Sequence, residues 1–192
     1  MEKLNRNLLL IISITLFVAL IPFLVLSDFV RFQADDYCSS TLVRSEGFWK
    51  AQQSSYENWS GRYSTMFFIA IIDRLDLIGL RILPIILIIG IWVTSYLLLY
   101  SISKFLKCNI TKSVIFCISL AITFFMLVTT PNLYQSLYWR SGSITYTLPI
   151  ILFNLLLVML IDSLNNKVSW WKTLTCILLS FISMGFSETN TA

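Results

Sequence analysis

Two adjacent carboxylates, Asp35 and Asp36, stand in the segment Ala34-Asp35-Asp36-Tyr37, shortly after a long apolar run. Such a pair can take a proton as a general base, or hold a hard divalent cation such as Mg²⁺ or Mn²⁺. The competing reading is a solvated acidic pair that caps the next helix. A second motif, Asn58-Trp59-Ser60-Gly61-Arg62-Tyr63, places a guanidinium fork between two aromatic rings. Arg62 can grip phosphate or carboxylate, and Trp59 and Tyr63 can stack on a sugar. The same residues also suit headgroup anchors with a snorkelling arginine. A third motif, Tyr138-Trp139-Arg140-Ser141-Gly142-Ser143, repeats the combination. An aromatic belt accounts for Trp139 and the tyrosines, and accounts less well for Arg140 and the residues after it. The fourth, Gly185-Phe186-Ser187-Glu188, ends an apolar run with a carboxylate. Glu188 there is costly unless hydrated or paired, and Arg62 or Arg140 are candidate partners. An ordinary loop acid is the alternative.

Other chemistry is excluded by composition. The 192 residues contain no histidine, which removes imidazole bases, histidine metal sites and Ser-His-Asp triads from this stretch. The four cysteines form no CxxC pair and read as small hydrophobes. A net charge of +4 with no basic run speaks against nucleic acid.

The elements that must position these motifs are apolar. The chain is 57% hydrophobic and 12% charged, where soluble domains carry roughly 25% charged residues. A globule cannot hide that much apolar surface, so lipid is the expected solvent. Leu8 to Leu26 reads as an uncleaved first span with Pro22 inside it, since about 20 residues at ~1.5 Å each cover a ~30 Å hydrocarbon core. Further spans are expected at about 80–100, 113–130, 147–161 and, shorter, 173–186. The expectation is one all-α, multi-pass membrane domain over 1–192, a bundle with about five transmembrane helices. Its first loop, 28–79, carries aromatics at helical spacing and reads as extracytoplasmic, with amphipathic interfacial helices. The short loops hold Lys104, Lys107, Lys112, Lys167 and Lys172 on one side and only Arg140 on the other. The basic residues of the long loop 28–79 even the raw total, but long segments cross regardless of charge, so the short loops are weighted and the N-terminus is expected in the cytoplasm. Segments 28–79, 131–146 and 187–192 then share the outer face. The abrupt end after a polar motif reads as the N-terminal part of a longer protein.

The motifs ADDYC at 34–38, GFW at 47–49, ENWSGRYS at 57–64, YWRSGSITYTLP at 138–149 and GFSET at 185–189 resemble those of a family of bacterial polytopic membrane proteins described as a domain of unknown function. Its layout is similar to that of the C-type (GT-C) glycosyltransferase superfamily. The resemblance implies transfer of a sugar from a polyprenyl-phosphate donor to a cell-surface acceptor at the outer face of the cytoplasmic membrane. It implies Asp35 or Asp36 as catalytic base or metal ligand, Arg62 and Arg140 as phosphate binders, and Glu188 as a secondary polar contact. Two other classes stay open: a transporter or flippase of lipid-linked or small substrates, and a non-enzymatic membrane assembly subunit.

Overall fold

The computed structural model describes residues 2–165 and 169–187. Helices α1 (Glu2–Leu26), α2 (Asp35–Glu46), α3 (Phe48–Asn58), α4 (Tyr63–Asp73), α5 (Asp76–Phe105) and α6 (Lys112–Thr129) are followed by a three-residue turn, α7 (Arg140–Gly142). Helices α8 (Leu148–Asn165) and α9 (Trp170–Met184) complete the order. π-helical turns at Tyr134–Tyr138 and Ser143–Thr147 flank α7, and no strand occurs among the described residues.

Four helices are long and apolar enough to cross a membrane: Arg6–Phe29, Asp76–Phe105, Lys112–Thr129 and Arg140–Leu164. The chain is therefore an all-α, multi-pass integral membrane protein, as its composition requires. The expected fifth span exists as the 15-residue helix α9. At ~1.5 Å per residue it reaches about 22 Å, short of a ~30 Å core. Leu8, Ile14, Phe17 and Val25 of α1 all face outward, as lipid-facing side chains would.

Helix α5 is the axis of the bundle, with α6 and α8 packed on it, α1 on α6 and α9 on α8. Gly90 on α5 allows Ile151 of α8 to approach within 2.7 Å of where a Cβ would stand. Polar cross-links are sparse: the Trp92 indole donates to Ser119 Oγ at 3.1 Å, and Asn154 to Thr94 Oγ1 at 3.3 Å. Bonds of this kind contribute roughly 0.6 kcal/mol each in a bilayer.

The stretch between α1 and α5 forms three helices that cap one end of the bundle. They share an apolar seam of Val43, Ala51, Met66, Ile69 and Ala70, all buried. Trp49, Tyr56 and Trp59 face away from it and are exposed. The end of α9 docks on this cap. Ser64 N–H donates to the Gly185 carbonyl at 2.9 Å, and a Cβ on Gly185 would collide with Ser64 and the Tyr63 ring.

Because α5 is 30 residues long, its two ends lie about 45 Å apart. The exposed Cys38 belongs to the cap and the exposed Cys108 follows the far end of α5. A membrane-impermeant maleimide added to intact cells is expected to label one of these two thiols and not the other, with both labelled after permeabilisation. Labelling of both before lysis would contradict this placement.

Candidate functional site

The site begins at a strained turn. Ala34 sits at φ 43°, ψ −118°, and Asp36 N–H donates to the Gln33 carbonyl at 2.8 Å. This is a type II′ turn with an alanine where glycine is usual. Holding a residue with a Cβ there costs on the order of 1–3 kcal/mol. The turn sends the two carboxylates in different directions. Asp35 is exposed, whereas Asp36 is fully buried.

Asp36 is surrounded by donors. Its Oδ1 accepts from Ser141 Oγ at 2.7 Å, Ser141 N–H at 3.2 Å and Arg140 Nε at 3.3 Å, and its Oδ2 accepts from Gln33 N–H at 3.2 Å. Arg140 is equally committed. Nη1 reaches Asp73 Oδ1 at 3.2 Å, while Nη2 donates to the Asp36 carbonyl and to Ser39 Oγ, both at 2.8 Å. Its guanidinium also lies 5.2 Å from the Phe32 ring centre. The network continues outward, with Arg44 bonding Asp73 at 3.1 Å and Asp76 at 2.9 Å. Burial opposes ionisation of Asp73, but the nearby Ser40 hydroxyl and the Arg44 and Arg140 charges outweigh it and hold its carboxyl below the usual range.

Local backbone aims Arg140 inward. Trp139 is extended (φ −84°, ψ 116°) between the two π-helical turns, so the chain changes direction one residue before the arginine. A Cβ on Gly142 would strike the Gln135 carbonyl and come within 2.8 Å of the Trp139 ring. Glycine is what lets the turns close on each other.

Beside this network lies a cleft of about 370 Å³, whose polar lining includes Asp35, Ser39, Ser141, Thr145, Asn58, Trp59 and Arg62. Leu42, Met66 and Ile69 supply its apolar surface.

Of the residues singled out in the sequence, Asp35, Trp59 and Arg62 meet in the cleft. Asp36 and Arg140 lie beside it, buried and bonded to each other. A divalent cation shared by Asp35 and Asp36 does not fit, because both Asp36 oxygens already accept and a guanidinium stands 3.3 Å away. Among the described residues, no three carboxylates or thiols gather as a metal-ligand group. Nor is Arg140 placed to hold a substrate phosphate, since its side chain has no exposed surface. Tyr63 stacks on Phe181 at 4.9 Å and donates to the Phe181 carbonyl, which pins α9. Trp139 is half-buried outside the cleft lining. Glu188 and Lys167 lie outside the described residues. Asp73 and Arg44 had only a faint signature, as charges bounding apolar runs in a charge-poor chain.

Removing Arg140 leaves Asp36 buried without its counter-charge and leaves Asp73 with Arg44 alone. Arg140→Ala is expected to destabilise the protein by about 3–5 kcal/mol, seen as lost folded yield and a lower melting temperature in detergent. An Asp36→Ala, Arg140→Ala double variant should lose much less than the sum of the singles, and additivity would contradict the pairing. A second expectation concerns pH. Asp73 has a folded pKa below its ordinary 3.8, so its contribution is complete above about pH 4 and is lost as pH falls through the folded value. Asp73→Asn should flatten that acid limb in a plot of melting temperature against pH, and an unchanged limb would count against it.

Comparison with protein-family models, with curated proteins and with solved structures gave no match, so the functional reading rests on the residues of the cleft and on the motifs they belong to.

Proposed function

We propose that the cleft is the active site of a membrane glycosyltransferase, which moves a sugar from a polyprenyl-phosphate carrier to an acceptor at the outer face of a bacterial cytoplasmic membrane. The observation that carries the proposal is the meeting of one exposed carboxylate, Asp35, with Arg62 and Trp59 in a single cleft at one end of a membrane bundle. The resemblance of the loop motifs to the GT-C layout supports it, and the lysines of the short loops support an extracytoplasmic cap.

In this mechanism the Asp35 carboxylate accepts the proton of an acceptor hydroxyl. The hydroxyl oxygen forms a bond to the anomeric carbon as the bond from that carbon to the phosphate oxygen breaks. The phosphate leaves with the electron pair, and attack from the opposite face inverts the centre. Arg62 offsets the charge gathering on the leaving group, more effectively in a cleft than in open water. Trp59 offers a flat face for the sugar. Asp36 and Arg140 take no part in proton transfer. They act as positioning residues, since the buried pair fixes the turn from which Asp35 projects.

Asp35→Asn should lower transfer at least about 100-fold, in line with the loss of a general base, while folded yield stays at the wild-type level. Asp36→Asn should lower folded yield instead. The measurement is surface glycan per folded protein in cells expressing the full-length chain. Wild-type transfer by Asp35→Asn would overturn the proposal.

A further inference from the structure

Four hydroxyls in the cleft have their protons already committed. Ser141 Oγ stands 2.7 Å from a carboxylate oxygen of Asp36, and Thr145 Oγ1 stands 2.7 Å from the Ser141 carbonyl. Thr65 Oγ1 is 2.9 Å from the Phe186 carbonyl, and Ser39 Oγ is 2.9 Å from the Asp35 carbonyl. Carbonyl and carboxylate oxygens only accept, so in every pair the hydroxyl is the donor. Each hydroxyl has one proton, and that proton points away from the ligand space. Ser39 also accepts from Arg140 at 2.8 Å, which uses one of its two lone pairs. With the Asp35 carboxylate beside them, these groups make a wall that can accept hydrogen bonds and cannot donate them.

We infer that this wall, Ser141 and Thr145 above all, selects a ligand carrying several O–H donors, the hydroxyl edge of a neutral sugar ring. The inference rests on the proposed transferase reading and names the residues that would meet the sugar's hydroxyls. Trp59, Met66 and Ile69 meet the apolar C–H faces of such a ring. Tetramethylammonium has no O–H or N–H to donate to the wall, so it is the control for attraction to the Asp35 charge alone.

The test uses the full chain in nanodiscs, with methyl glycosides of glucose, galactose and mannose and, separately, tetramethylammonium as probes, read by isothermal titration. At least one glycoside is expected to bind and tetramethylammonium is not. Thr145→Val and Ser141→Ala should each weaken the glycoside about three- to tenfold, the range of one neutral hydrogen bond, and Thr145→Ser should restore it. Thr145→Val preserves shape, so it keeps the test decisive if Ser141→Ala lowers folded yield by depriving Asp36 of a donor. Absence of glycoside binding, indifference to Thr145→Val, or preference for tetramethylammonium would each overturn the inference. If glycoside binding fails while Asp35→Asn still abolishes glycan transfer, the inference falls alone. If binding behaves as expected while Asp35→Asn transfers normally, the transferase reading falls and the acceptor wall stands.

Discussion

A guanidinium buried between two carboxylates ties together segments that are far apart in the chain. Arg140 brings the end of α4, through Asp73, and the start of α2, through Asp36, onto the turn that opens the last long span. An isolated charge at this depth would be intolerable, and the network works because its donors and acceptors are almost completely matched. The cost of breaking it is large, since every partial loss leaves a charge stranded. The cleft adjoins this network through Ser39, which accepts from Arg140, and Ser141, which donates to Asp36.

The strained turn at Ala34 gains its meaning from this network. A backbone conformation that favours glycine persists only where the surroundings over-determine it. Here Gln33, Ser141 and Arg140 all bond to Asp36, so the buried carboxylate holds the turn closed. The neighbouring Asp35 is thereby presented to the cleft on a fixed base. Two residues of the same type, adjacent in sequence, come to serve different ends through burial alone.

The bundle beneath supplies direction and solvent. Its apolar flanks place the cap at a boundary between lipid and water. The connection of α9 to the start of α4, through Ser64, Thr65 and Gly185, draws the last described helix into the cap as well. The cleft is therefore assembled from the ends of elements, which the long helices bring to one level.

Several features were legible in the residues themselves. An apolar composition with long uninterrupted runs requires a helical membrane protein, because only helices satisfy their own backbone within lipid. The scarcity of charge made Asp35, Asp36, Arg62 and Arg140 stand out, and their spacing relative to the runs put them at one end of the bundle. What the chain order alone could not convey was partnership. Asp35 and Asp36 are equivalent as letters, and only a strained turn and a facing arginine separate an exposed carboxylate from a buried one. Arg140 reads as a phosphate binder until Asp73, 67 positions away, is found against it. Likewise the short helix α9 counts as a span by hydropathy, and its length and its docking on α4 set it apart. Burial and pairing are properties of three-dimensional neighbours, and the tertiary fold alone decides which neighbours meet.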